Sequence, residues 1–165
     1  MRVLGIDPGF GRVGYGVIDF VKNKYRALEY GCISTPQDMP FPERLNKIEK
    51  DLEDIISRYK FDAASIEDLY FNTNVKTGIK VAEARGVIMN TLYKAGIPIF
   101  EYTPLQAKMA IVGYGRAEKK QVKDMVKYFL NLDKMPKLDD TTDALAIAIC
   151  YTHHSRFSSF VDKKN

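Results

Sequence analysis

The feature that most constrains this chain is the order in which its apolar periodicity changes. Residues 2–7 (RVLGID) form a short apolar run that stops at Asp7-Pro8-Gly9, a turn signal. Residues 13–20 and 26–34 read as two further strands, separated by the polar Lys22-Asn23-Lys24. Three strands joined by short turns imply an antiparallel meander. Beyond Pro40 and Pro42 the period lengthens: Leu45, Ile48, Leu52, Ile55 and Tyr59 recur every three or four residues, the pattern of an amphipathic helix. Strand and helix then alternate. A buried strand over 62–67 ends on an acid; Val81, Ala84, Ile88 and Leu92 mark a helix stopped by Gly96; residues 97–102 form a short strand. Helices are expected near 104–112 and 118–131, and a last one over 140–154 is apolar almost all round and so should be buried. The fold class is α/β: one domain over residues 1–155, a mixed five-stranded sheet flanked by helices, with a polar, frayed tail over 156–165.

Composition removes several functional classes. At 165 residues the chain is long enough for one domain with a real core, and 45% hydrophobic with 28% charged residues is globular composition, not disorder. No apolar run approaches the roughly 18 residues of a membrane helix, and MRVLGIDPGFG carries no secretory signal, which points to the cytoplasm. Cys32 and Cys150 lie far apart in apolar segments and are expected as buried free thiols; neither pairs with histidine at zinc spacing. The net charge of +4 is modest, but basic residues thicken between Lys108 and Lys127, either a solvated helix face or a surface for an anionic partner.

The informative residues are acids in unexpected places. Asp7 ends an apolar strand where burial would call for another Val or Ile, at the strand edge where sheet proteins place a ligand crevice; equally, it could serve the Asp-Pro-Gly turn amides. Glu67 repeats the arrangement after Ala63-Ala64-Ser65-Ile66. Asp140 and Asp143 flank Thr141-Thr142 at the start of the last helix, where acids also serve as caps and favour the helix dipole. Gathered together, four carboxylates repel unless cations neutralise them, and an all-oxygen donor set suits Mg²⁺ or Mn²⁺ rather than zinc. Two such ions about 4 Å apart could clamp the attacking water and leaving oxygen of a phosphodiester. Gly9, Gly11, Gly14 and Gly16 permit tight turns or close backbone approach and say little alone.

With these residues in place, the chain closely resembles the RuvC family of Holliday-junction resolvases. The matching pieces are GIDPG (5–9) with GYGV (14–17), IEDLYF (66–71), ARGV (84–87), VGYGRAEKKQV (112–122) and DDTTDALAIAI (139–149), in the family's order. The resemblance implies a ribonuclease-H-like fold, a homodimer, and paired symmetric nicks in four-way DNA junctions during recombination and repair. It also implies partnership with the branch-migration proteins RuvA and RuvB. The family's catalytic, Mg²⁺-holding carboxylates fall on Asp7, Glu67, Asp140 and Asp143, and its DNA contacts on Lys108, Lys119 and the aromatic Tyr70. That aromatic is commonly phenylalanine; tyrosine keeps the stacking face and adds a hydroxyl. Asp139 beside Asp140 leaves two candidate acids, of which the DxxD spacing favours Asp140.

Three other activities are compatible with parts of the pattern. A kinase-like ATP binder also begins with a strand ending in Asp-x-Gly but needs two such domains around the nucleotide. A non-catalytic junction-binding module would not need all four acids, and a ribonuclease-H-like enzyme could act on RNA–DNA hybrid instead. The apolar stripe Val81, Ala84, Ile88 and Leu92 could be buried within one subunit, but the resemblance makes it the candidate for part of a self-complementary dimer interface.

Overall fold

The computed structural model describes residues 1–69 and 75–161, the side chains of 156–161 apart. Five strands, β1 (Arg2–Asp7), β2 (Arg12–Val21), β3 (Lys24–Ser34), β4 (Ala63–Glu67) and β5 (Ile99–Tyr102), form one sheet in the order β3-β2-β1-β4-β5. The first three are the antiparallel meander; β4 and β5 add in parallel through helical crossovers, giving the mixed sheet expected. Helices α1 (Phe41–Ser57), α2 (Val75–Lys94), α3 (Pro104–Val112), α4 (Lys119–Leu130) and α5 (Asp139–Val161) flank it.

Strand alternation divides the core into two layers. Leu4 and Ile6 of β1, with Ala64 and Ile66 of β4, face α1 and α2, where Ile48, Leu52, Ile55, Ala84, Ile88 and Leu92 complete a buried cluster. Three of the four residues of the stripe expected at an interface between subunits are thus spent inside one subunit: Ala84, Ile88 and Leu92 have no exposed surface, while Val81 is half-buried. Helical spacing identified a buried face correctly but could not say whether another chain or this chain's own sheet covers it. The fully buried Ile88 and Leu92 side chains each contribute on the order of 2 kcal/mol, and the Ala84 methyl less than half of that.

The opposite face lies under α5, which crosses β2, β1 and β4. Glycines make this approach possible. A Cβ on Gly5 would lie 2.0 Å from the Ala144 carbonyl oxygen, and one on Gly14 would lie 1.9 Å from that of Asp140. Ser65 donates to the Ile147 carbonyl (2.8 Å) and Thr141 to the Gly31 carbonyl (3.0 Å), so α5 is pinned to both halves of the sheet. The helix also runs on to Val161, beyond the expected end at 154 and into the segment read as a frayed tail. No Gly or Pro stops it there, and the Tyr25 hydroxyl holds Thr152 at 2.7 Å. Both cysteines are free, Cys150 buried and Cys32 only half-buried. Among the described residues no helix is long and apolar enough to cross a membrane.

Candidate active site

The parallel pairing of β1 with β4 sets Val3 beside Ala63 and Ile6 beside Ile66, so one step further Asp7 and Glu67 end neighbouring strands at the same edge. Both fall on the α5 side of the pleat. Gly14, opposite Asp7 on β2, lets the first turn of α5 reach that edge and deliver Asp140 and Asp143 beside them. Residues from positions 7, 67, 140 and 143 therefore share one partly buried cluster.

The electrostatics are those of concentrated negative charge. Burial, then the charges of Glu67, Asp143 and Asp140, push the Asp7 carboxyl up to about 8. Burial and the charge of Asp143 also raise Glu67, although a hydrogen bond between the Asp7 and Glu67 side chains and the nearby Lys119 ammonium work the other way. Burial raises Asp143 despite Lys119. Asp139 behaves differently. It is exposed and its carboxyl is held low by Lys123 (2.6 Å) and Lys119 (3.0 Å), which places it in an ion-pair network with α4, outside the buried cluster.

Two lysines singled out from the sequence meet these acids. A capping box of Thr103 and Gln106 starts α3, and the Glu118 amide donates to Gln121 at the start of α4; these starts orient Lys108 and Lys119. Both lysines line a cavity of about 220 Å³ with Glu67 and Asp143. The Lys119 ammonium lies 3.3 Å from Asp143; burial opposes its charge, but the bonds to Asp139 and Asp143 outweigh burial and raise its pKa. Tyr70 lies outside the described residues. Two cations were not anticipated. Arg12 at the start of β2 sits 3.3 Å from Asp140, and Lys123 reaches Asp139; only the latter was detectable, as a lysine one helical turn beyond Lys119.

Among the described residues, no group of three or more Asp, Glu, His or Cys is arranged to hold a metal ion as it stands. Lys119 and Arg12 lie against Asp143 and Asp140, while Asp7 and Glu67 bond each other. The donor chemistry nevertheless fits a hard divalent cation: four carboxylates, no thiolate or imidazole, and three of the acids with protons held more tightly than usual.

The comparisons with known proteins show the family to which this fold belongs. The family model "Crossover junction endodeoxyribonuclease RuvC" matches residues 3–151. A protein of that name from Alkaliphilus oremlandii is 51% identical over 158 residues, 96% of each chain. Another from Clostridioides difficile is 49% identical, covering 94% of this chain and 92% of its own. The Thermus thermophilus RuvC structure superposes with a TM-score of 0.89 at 32% identity, covering 96% of this chain and 97% of that one. The same protein in complex with Holliday junction substrate gives 0.91, with 96% of each chain covered. The fold is ribonuclease-H-like. With a match spanning both strand-end acids and the helix that carries the other two, this chain belongs to the crossover junction endodeoxyribonuclease RuvC family.

Proposed function

We propose that Asp7, Glu67, Asp140 and Asp143 are the catalytic and metal-holding groups with which this family member nicks four-way DNA junctions. The observation that carries this is the convergence of four carboxylates at one sheet edge, with Lys108 and Lys119 on the adjoining cavity wall. Mg²⁺ is the expected ion, two per site, with Mn²⁺ able to substitute. Bound there, divalent ions would lower the pKa of water and offset charge on the leaving oxygen.

The chain's own residues do the rest. Asp7 and Glu67, whose protons are held tightly in the ion-free site, would hold a divalent cation as carboxylates once those protons are released to solvent. Lys119 moves from Asp143 towards the phosphate, and Lys108 supplies a second positive charge to the same cavity. Water attacks the phosphorus in line with the 3′ oxygen; as the new P–O bond forms the P–O3′ bond breaks, the water gives a proton to solvent and the 3′ oxygen takes one up, leaving 5′-phosphate and 3′-hydroxyl ends that a ligase can join. Tyr70 is proposed to stack on junction bases.

Two cuts require two sites, hence a symmetric dimer. The outer face of α2 offers the surface: Val75, Ile79, Ala82, Gly86 and Tyr93 are exposed along it, Ile79 by 53% and Tyr93 by 79%. A second copy would cover this stripe, on the side of α2 opposite the one its own core uses. Recombination and repair in the cytoplasm, with RuvA and RuvB supplying branch migration, complete the proposal. The T. thermophilus relative has been seen with Holliday junction substrate, and its likeness over nearly the whole chain supports the same substrate here.

The test is cleavage of a junction carried on a supercoiled circle, beside linear duplex and RNA–DNA hybrid. Paired cutting within one complex yields linear, ligatable product in Mg²⁺ and none in chelator. Singly nicked circles alone would refute the paired mechanism, and equal cutting of the hybrid would refute the substrate.

A further inference from the structure

A second and larger recess, about 980 Å³, opens on the other side of Asp140. The β1–β2 turn, the segment after β3, α1 and α2 build it, and its chemistry comes from Phe10, Arg12, Gln37, Arg44, Lys80 and Asp140. Glu67 and Asp143 line the smaller cavity with Lys108 and Lys119, whereas Asp140 lines this one. The carboxylate cluster is therefore flanked by two recesses, each lined by cations.

The way these cations are held separates the groove from an ordinary charged surface. The Arg44 guanidinium, on a residue only 8% exposed, donates from Nε to the Met39 carbonyl (3.0 Å) and lies over the Phe10 ring at 5.7 Å. Lys80 lies over the same ring at 5.7 Å and over Phe41 at 5.4 Å, and the two rings meet edge to face at 6.0 Å. Neither Arg44 nor Lys80 has a carboxylate partner among the described residues. A ring face or a carbonyl holds a cation in position without neutralising it. Two like charges gathered at one aromatic pair repel, and the arrangement becomes favourable when an anion enters. Arg12 carries the positive charge on to Asp140 itself. The groove is far roomier than one phosphate requires, and it runs up to a carboxylate of the cluster; both properties suit a chain of phosphates.

We propose that this groove is a second phosphate track, in which Arg44, Lys80 and Arg12 hold phosphodiesters of the junction strand beyond the scissile one. The strand would then cross the carboxylates between two sets of cations, Lys108 and Lys119 on one side and this group on the other. Phosphate contacts of this kind fix register without reading sequence. The proposal rests on the junction-nuclease reading above, and its test separates the two.

Junction affinity is measured against salt concentration in the Asp7→Asn background, where no cutting intervenes. Lys80 is exposed, so Lys80→Gln should fold normally; Lys60→Gln, exposed in the connection between α1 and β4, is the control. The expected result is a loss of roughly 3- to 10-fold in affinity near 0.1 M salt for Lys80→Gln. The slope of log affinity against log salt should fall by about one unit, Lys80→Arg should restore both, and Lys60→Gln should change neither. If Lys80→Gln binds with the parental affinity and slope, the track is wrong while the nuclease reading stands. If the parent itself does not prefer junction to linear duplex, both fall.

Discussion

Replacing Asp7 with Asn should stabilise this protein while silencing it, and the gain should grow with pH. In the folded chain the Asp7 carboxyl is pushed from an ordinary 3.8 up to about 8 by burial and by Glu67, Asp143 and Asp140. A raised carboxyl binds its proton more tightly folded than unfolded. Its contribution is therefore fully present below pH 4 and is lost as pH rises towards 8. Each unit is about 1.4 kcal/mol, so an interval of about 4 units has a ceiling of roughly 6 kcal/mol. The repulsion is shared among four acids and the denatured chain also responds, so about half of that, ~3 kcal/mol, should be recovered by one neutral substitution. For a chain of this length that is a rise in Tm of roughly 6–12 °C. The assay is thermal unfolding in chelator at pH 5, 6.5 and 8, repeated with Mg²⁺. The gap between Asp7→Asn and the parent should be small at pH 5 and widest at pH 8. Mg²⁺ should narrow it by stabilising the parent, and the variant should bind junctions without cutting them. A gap that is the same at every pH, or a parent more stable than the variant at pH 8 in chelator, would refute the argument from buried, repelling carboxylates.

Further outcomes follow from other residues. Gly14→Ala puts a methyl 1.9 Å from the Asp140 carbonyl oxygen, so α5 must lift; a loss of about 3 kcal/mol or more in urea unfolding and little remaining cleavage are expected, and near-parental behaviour in both would sink the close-approach account. Lys119→Gln should slow cleavage at saturating junction by roughly 10²-fold, measured in single turnover. Asp139→Asn frees Lys119 to bind Asp143 alone, so the Mg²⁺ needed for half-maximal stabilisation should rise by about 2- to 5-fold, and this effect should vanish in the Lys119→Gln background. Tyr93→Glu should split the dimer in sedimentation and leave nicks unpaired; an intact dimer would move the interface elsewhere.

Much of this protein was legible in the residues because local periodicity and the covalent order of elements are sequence properties. The meander, the strand–helix alternation and the apolar last helix all follow from where period two gives way to period 3.6. Asp7 and Glu67 stood out because a charged residue ends each buried strand, and Asp140 and Asp143 because they open a helix that is otherwise apolar. Tertiary structure alone decided the rest. Spacing on α2 marked Ala84, Ile88 and Leu92 as one buried face, but what covers that face depends on which side the sheet lies; the core claimed it and left Ile79 and Tyr93 outside. Gly14 was compatible with either a tight turn or a close backbone approach, and only the packing of α5 against it decides for the second. Arg12, Arg44 and Lys80 come from three elements with no shared period, so only the packing of α1 and α2 against the β1–β2 turn brings them into one groove. Asp139 and Asp140 differ by one residue, yet the 100° turn between them sends one side chain to the lysines of α4 and the other to Arg12, a distinction that exists only once both helices are in place.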